Sequence, residues 1–299
     1  MQSVWLKAVR IRFLLASVIA VSLGLAIAWW QNQSVDIFHA VLTYAGVVVL
    51  HASVDLLNDY WDYKRGIDTQ TKRTKLSGGS GVLPEGLLQP STVYKAGVAF
   101  LIIGAAIGGY FVYVGGIVIA IILTFAVLSI YFYSTRIVDS GLGELFVAIK
   151  GTMIVLGTYF IQVSQVTTES VLGGIVVGTL SALVLFVTSF PDFDADKSKG
   201  RKTLVILLGK EKATKALWIF PAIAYGVIVA GVSLQIIPVF TLITLLTIPL
   251  LIKVGRGLRH SFDNVEKLVP VMTSCLSYSR ITGALLVLAF VMPLFFIPF

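Results

Sequence analysis

Long apolar runs separated by short polar stretches dominate the sequence. About 20 predominantly apolar residues are enough for a helix to cross a bilayer. Nine such runs, which we number one to nine, cover residues 13–31, 37–57, 93–114, 116–134, 142–162, 171–190, 216–234, 239–254 and 281–299. The pattern predicts an all-α, polytopic membrane protein: a bundle of about nine transmembrane helices that forms a single domain over residues 1–299.

Composition agrees with a membrane protein. Hydrophobic residues make up 57% of the 299 residues and charged residues only 13%, whereas a soluble domain carries about 25% charged residues. The net charge of +8 does not indicate a nucleic-acid partner, because the sequence contains no soluble basic domain to bind one. We expect a multi-pass protein of the cell membrane, with the lipid bilayer as its partner.

Positive charges alternate along the chain in a way that predicts its orientation. Lys and Arg precede span one and follow spans two, four, six and eight, whereas the loops near 34, 115, 167 and 235 have neither. Cytoplasmic loops carry the excess of Lys and Arg in membrane proteins. The pattern therefore predicts a cytoplasmic N-terminus, an outer C-terminus and a cytoplasmic face that holds all the long loops.

The first acidic motif lies where span two meets the cytoplasm. Asp55, Asp59 and Asp62 have the spacing i, i+4 and i+7, which places them on one face if the helix continues, and Asp68 follows Gly66, where the helix could end. An Asp near the middle of a membrane costs about 2.5 to 3.5 kcal/mol to insert, and less near an interface. A divalent cation held by carboxylate oxygens would offset that cost.

A second acidic motif follows span six, on the same predicted side of the membrane. Asp192 and Asp196 are again four residues apart, whereas Asp194 would point elsewhere on a helix. Basic residues follow both motifs: Lys72, Arg73 and Lys75 after the first, and Lys199, Arg201 and Lys202 after the second.

Together the two motifs predict a ligand. One such cluster alone is typical of a solvated loop, but two on the same face favour a site in which acids hold metal ions and bases bind a bridging anion. With an apolar bundle below, the expected ligand has a diphosphate head and a long hydrocarbon tail.

At these residues the chain resembles the UbiA-type superfamily of intramembrane prenyltransferases. The signatures appear as NDYWDYKRGID at 58–68 and as DFDAD followed by GRKT at 192–203. Within the superfamily the chain is most similar to the 1,4-dihydroxy-2-naphthoate polyprenyltransferases of menaquinone biosynthesis, through GGSGVL at 78–83, GLGE at 141–144 and GTYFIQ at 157–162. The resemblance implies Mg²⁺-dependent transfer of a prenyl group from its allylic diphosphate to an acceptor.

The chemistry assigns roles to particular side chains. The predicted Mg²⁺ ligands are Asp59, Asp62, Asp192 and Asp196, which are also the predicted catalytic residues together with Tyr131, an aromatic residue that could stabilise a cation. We expect the polyprenyl diphosphate and the aromatic acceptor to contact a second set: Asp55, Asn58, Asp68, Lys72, Arg73, Arg136, Lys150, Tyr159, Arg201 and Lys202.

Alternatives remain for single residues. Arg136 could clamp an acceptor carboxylate or serve only as a topology charge. Lys150 could reach the diphosphate or pair with Glu144. Asp59, Asp62 and Glu144 are all candidates for the base that takes a proton from the acceptor.

Alternatives remain for the function as well. A secondary transporter also has intramembrane acids, but its site usually lies near the midplane, whereas these acids cluster at one end of the spans. A lipid-diphosphate binding protein without activity is a further alternative. Among acceptors, 1,4-dihydroxy-2-naphthoate is predicted, ahead of a glycerol-phosphate lipid, 4-hydroxybenzoate and haem.

Overall fold

The computed structural model describes residues 4–295, and in this range the secondary structure is entirely helical. Nine helical segments of the described range are long and apolar enough to cross a membrane, which confirms the predicted number. They are Ile11–Asn32, Ile37–Lys64, Pro90–Gly115, Ile117–Ser140, Gly143–Val163, Thr168–Thr188, Lys210–Ser233, Val239–Ser261 and Val265–Val291, and they keep the numbers of the predicted spans. Short helices Val4–Ala8, Phe193–Ser198 and Leu204–Leu208 lie outside the spans.

Span two is the longest helix and carries the first acidic motif. It begins after Asp36, whose side chain accepts a hydrogen bond from the His39 amide at 2.9 Å, as is usual for a residue that caps a helix. It continues beyond the predicted end to Lys64, and Gly66 then takes a φ of +72°. The predicted helical continuation is therefore confirmed, and the motif acids lie on its last turns.

Span four ends in a change of helix type next to that motif. Its α-helix runs over Ile117–Phe132 and is followed by a π-helical turn, Tyr133–Ile137, and a 3₁₀ turn, Val138–Ser140. Ser134 in the π turn donates to Asn58 Oδ1 at 2.7 Å, and its carbonyl accepts from Arg65 Nη1 at 2.8 Å. These bonds fix the end of span four against the end of span two.

Spans five and six cross closely because small residues lie at their contact. A Cβ atom added at Gly178 would come within 2.1 Å of the Ala148 carbonyl oxygen, and one at Gly151 within 2.6 Å of the Gly178 Cα. The Thr152 hydroxyl adds a hydrogen bond to the Gly174 carbonyl at 3.1 Å. Small residues of this kind let membrane helices approach closely, so span five is held in a defined rotation.

The prediction for span nine was wrong. The sequence indicated a helix over 281–299, but the helix runs over Val265–Val291, with Asn264 as its cap. The charged side chains of its first half misled the assignment, because they lie at the end of the bundle that carries the acidic motifs and do not interrupt the helix. Residues 296–299 lie outside the described range.

Candidate active site

A cavity of about 250 Å³ opens at the end of the bundle where span two ends and span five begins. Both acidic motifs contribute to its wall. Spans one, two, four, five, six and nine, the residue before span one and the segments 67–79 and 189–203 contribute polar wall residues, which include Arg10, Arg12, Ser17, His51, Asp55, Asn58, Asp62, Asp68, Tyr133, Glu144, Lys150, Asp192, Asp196, Arg201 and Arg280.

Arg201 joins the two motifs. Its Nη2 donates to Asp62 at the end of span two, and its Nη1 donates to Asp196 on the helix Phe193–Ser198 at 3.2 Å. All three side chains are buried. Asn58 donates to the second Asp62 oxygen at 3.2 Å, which holds that carboxylate in place. Residues far apart in sequence therefore form one charged cluster.

The second motif has the register that its spacing predicted. Asp192 and Asp196 line the cavity, whereas the Asp194 side chain is 85% exposed and pairs with Lys210 at 3.5 Å. Asp192 Oδ2 accepts a hydrogen bond from the Gly78 amide at 3.3 Å, but its Oδ1 is buried without a hydrogen-bond partner. One carboxylate oxygen of this motif is therefore free to bind a ligand.

The segment 65–89, between spans two and three, closes over the first motif. Ser80 donates to Asp59 through both its amide, at 3.1 Å to Oδ1, and its hydroxyl. Asp59 is buried by this contact and is not part of the cavity wall. Of the four predicted metal ligands, the structure thus places three around the cavity and the fourth beneath the segment.

Burial raises the pKa values of the carboxyl groups in the two motifs, and neighbouring carboxylates add to the rise. Burial raises the pKa of Asp192 to about 8, and the Asp196 carboxylate adds to the effect. Burial raises the pKa of Asp68 to about 8, with further contributions from Asp62 and Asp59. Burial also raises the pKa of Asp196, but only to about 6, because Arg201 opposes the rise. A cluster of this kind favours a cationic ligand.

The donor atoms fit a hard divalent cation. In the described range no group of three or more His, Cys, Asp or Glu side chains forms a ready-made metal cage. Mg²⁺, however, usually binds through one or two carboxylates and takes its other ligands from water and substrate phosphates. The unpaired Asp192 oxygen and the neighbouring Asp196 and Asp62 carboxylates are suitable for that mode of binding.

Other predicted residues lie outside the cavity wall. Lys72 pairs with Glu266 at 3.0 Å and Arg73 with Glu85 at 2.6 Å. Both line a surface groove that adjoins the cavity, because Arg10 and Arg12 belong to the walls of both. Tyr159 is buried near the opposite end of the bundle, bonded to Gln31. Three more residues are exposed and do not line the cavity: Tyr131, Arg136 and Lys202.

Sequence reasoning did not assign several polar residues of the cavity wall to the site, among them Arg10, Arg12, His51 and Arg280. The three arginines were taken only as positive charges that indicate the orientation of the chain. Arg280 donates to the Arg12 carbonyl, so spans one and nine bring their cations together at this end of the bundle. The run of charge before span one was the available signal.

The cavity described above forms a charged mouth. Below it, a second cavity of about 130 Å³ continues among spans one to five and forms an apolar chamber. Its wall is almost wholly apolar, with residues such as Leu50, Ile107, Phe111, Ile122 and Met153. Its wall shares residues with the charged cavity, so the two adjoin. The site as a whole is therefore amphipathic.

A bundle of apolar spans that holds a charged mouth and an apolar chamber defines an integral membrane protein with a site for an amphipathic ligand. The UbiA prenyltransferase family matches residues 17–267, and the chain belongs to that family. It is a prenyltransferase and a multi-pass membrane protein.

Named relatives agree with this assignment, and a solved structure shares the fold. The chain is 28% identical over 240 residues to 1,4-dihydroxy-2-naphthoate octaprenyltransferase of Bacillus subtilis, covering 78% of this chain and 75% of the relative. It is 26% identical over 297 residues to the Escherichia coli enzyme of the same name, covering 95% and 94%. A UbiA homolog from Archaeoglobus fulgidus bound to GPP and Mg²⁺ has a similar fold, with a TM-score of 0.64 and 17% identity over 94% of this chain and 100% of that one.

Proposed function

We propose that this protein transfers a polyprenyl group from an allylic diphosphate to 1,4-dihydroxy-2-naphthoate, with Mg²⁺, in menaquinone biosynthesis at the cell membrane. One observation carries the proposal: both acidic motifs and several arginines surround a cavity that adjoins an apolar chamber. A diphosphate fits the charged mouth and a polyprenyl tail fits the chamber. The named relatives support the acceptor.

The charged mouth would bind and orient the diphosphate. Asp62, Asp192 and Asp196 would hold Mg²⁺, which when bound neutralises charge on the leaving diphosphate. Arg10, Arg12, Arg201 and Arg280 supply further positive charge at the same end of the bundle. Groups positioned in advance around a leaving anion are an effective source of catalysis.

The transfer exchanges one bond at the allylic carbon for another. The C–O bond to the diphosphate breaks and its electron pair leaves with the diphosphate, while a ring carbon of the acceptor forms the new C–C bond. The ring carbon then gives up a proton, or carbon dioxide if it carries the carboxylate, and the ring becomes aromatic again. The apolar chamber would keep water from the allylic cation, and the Tyr133 ring could stabilise it.

Of the three candidate bases Asp59, Asp62 and Glu144, Glu144 is the best placed. Its Oε1 is buried without a hydrogen-bond partner, and the residue lines the cavity. Asp62 accepts hydrogen bonds from Arg201 and Asn58 and would also hold Mg²⁺, and Asp59 accepts hydrogen bonds from Ser80. Glu144 would therefore accept the phenolic proton of the acceptor, which makes the ring carbon a better nucleophile.

The test is turnover by purified protein supplied with geranylgeranyl diphosphate, Mg²⁺ and each acceptor in turn, with products identified by mass spectrometry. We expect a prenylated naphthoquinol from 1,4-dihydroxy-2-naphthoate. Prenylation of a glycerol-phosphate lipid alone would refute the acceptor and leave the prenyltransferase intact. Net flux in proteoliposomes without any turnover would instead support the transporter.

A further inference from the structure

Lys150 is a cation inside span five without a direct partner. Within residues 4–295 its ammonium group makes no hydrogen bond and no ion pair, and the opposite charge that acts on it is the Asp55 carboxylate. At about 1.5 Å per residue, Lys150 lies roughly 10 Å along the helix axis from Gly143, where the span begins. An ionisable residue at such a depth faces a cavity or a partner.

Its position is the junction of the two cavities. Lys150 lines both the charged mouth and the apolar chamber, together with Ser17 and His51. The close crossing of spans five and six at the adjacent Gly151 fixes the rotation of span five here. The ammonium group is thus directed to the place where the polar head of a bound ligand would join its apolar tail.

The polar neighbours of Lys150 leave binding capacity unused. His51 Nδ1 is bonded to Ser17 Oγ at 2.6 Å, and His51 Nε2 lies 3.9 Å from Asp55 Oδ2. Asp55 Oδ2 itself is buried without a hydrogen-bond partner. One cation, one carboxylate and one imidazole therefore form a small polar ring beside the junction, and a ligand group could complete its hydrogen bonds.

The diphosphate is not the anion that suits this ring. The mouth already presents Arg10, Arg201 and Arg280 beside the acidic motifs. Asp55 next to Lys150 would repel a polyanion but tolerate a singly charged group. A carboxylate of an aromatic ring matches the single ammonium, and its ring would lie between the mouth and the chamber, next to the allylic carbon.

We propose that Lys150 binds the carboxylate of the aromatic acceptor and sets the preference of the enzyme for a carboxylated ring. The proposal rests on the aromatic acceptor argued above and places its acid group at Lys150 instead of at the exposed Arg136. Asp55 and His51, on span two, line the charged cavity together with Lys150.

The test compares Lys150→Met with Lys95→Met, a matched change at an exposed lysine of span three outside the cavity walls. In Lys150→Met the KM for 1,4-dihydroxy-2-naphthoate should rise roughly 10- to 100-fold, the range for a lost hydrogen bond to a charged group. The KM for geranylgeranyl diphosphate should stay within about twofold. Lys150→Arg should restore most of the affinity, and Lys95→Met should leave both values unchanged.

A second acceptor isolates the acid group. The wild-type protein should prefer 1,4-dihydroxy-2-naphthoate over 1,4-dihydroxynaphthalene, which lacks the carboxylate, and Lys150→Met should lose that preference. Without any diphosphate, the naphthoate should raise the Tm of the wild type but not of Lys150→Met. A rise in Tm of Lys150→Met with geranylgeranyl diphosphate and Mg²⁺ will show that the variant is folded.

The outcomes separate this inference from the function on which it rests. If the wild type prenylates the naphthoate and Lys150→Met keeps the preference, or if Arg136→Gln alone loses it, the role of Lys150 is refuted and the function stands. Equal increases in both KM values also refute it. If the wild type makes no naphthoate product, the proposed acceptor fails first, and the inference fails with it.

Discussion

Arg201 donates hydrogen bonds to Asp62 and Asp196 at once, so a single guanidinium joins the end of span two to the short helix after span six. The three side chains are buried, and the Arg201 Nε still lacks a partner. Truncating one member of a buried charged cluster leaves the others uncompensated, which costs about 3 to 5 kcal/mol. Arg201 thus has both a structural role and a place next to the predicted diphosphate.

We expect Arg201→Gln to reduce turnover at least 100-fold, because the variant loses a charge at the mouth and leaves two carboxylates facing each other. The Tm should fall as well. The matched control is Lys202→Gln, the exposed neighbour, which does not line the cavity. Steady-state kinetics and thermal unfolding of both variants measure the difference, and similar losses in the two would contradict the bridging role.

The acids of the second motif should differ in importance. Asp192→Ala and Asp196→Ala remove carboxylates from the cavity wall and should nearly abolish turnover, as should Asp62→Ala. Asp194→Ala is the control, because that side chain is exposed. We expect it to retain most of the wild-type kcat. An equal loss of turnover in Asp194→Ala would show that the active protein does not have the helical register that directs Asp194 away from the cavity.

Removal of divalent metal should stop the reaction. In excess EDTA we expect turnover to fall to background and to return with Mg²⁺ or Mn²⁺, because the cavity acids alone would repel a diphosphate. Thermal unfolding offers an independent measurement: Mg²⁺ with geranylgeranyl diphosphate should raise the Tm more than either does alone. Undiminished turnover in EDTA would refute a metal-dependent mechanism.

The acidic motifs could be predicted from sequence because their information is local. Spacing of i, i+4 and i+7 places Asp55, Asp59 and Asp62 on one helix face, and the structure keeps that helix intact to Lys64. Spacing within the second motif likewise separated Asp194 from its neighbours. Helical periodicity is the strongest signal that a single sequence carries.

What could not be predicted depends on contacts between distant segments. No local pattern indicates that Ser80 covers Asp59, or that Tyr159 lies at the end of the bundle away from the acids. The start of span nine was placed too late because charge was taken as the end of a span, although Lys267 and Arg280 belong to the helix. Lys150 was found by sequence as an intramembrane charge, but its place at the junction required the fold.

Two glycines of the segment 65–89 offer a matched test of how it is held. Gly79 has a φ of +68°, and a Cβ there would come within 2.4 Å of Asp68 Oδ2. Gly86 has nearly the same φ, +67°, but a Cβ there would have no neighbour within 4 Å. Gly86→Ala should therefore lower the free energy of unfolding only by the strain of a left-handed residue, about 1 to 2 kcal/mol.

Gly79→Ala should lower the free energy of unfolding by more than Gly86→Ala does. It should also lower turnover, since the displaced Asp68 lines the cavity. Thermal unfolding and limited proteolysis of the segment measure the first effect, and kinetics the second. If the two alanine variants behave alike, the contact between Gly79 and Asp68 does not hold the segment in place.

The orientation of the bundle can be tested with single cysteines, since the native Cys275 is buried and should give little background. Thr69→Cys and Ser198→Cys lie in exposed positions beside the two acidic motifs, and Gln165→Cys lies in the exposed turn between spans five and six. The distribution of Lys and Arg predicts that a membrane-impermeant thiol reagent added to intact cells will label only the Gln165 variant. The other two variants should label only after the membrane is permeabilised.

Because Arg201 joins the motifs, Thr69→Cys and Ser198→Cys must react from the same side. Labelling of one from each side would contradict the shared site itself, whereas labelling of both from outside would only reverse the predicted orientation.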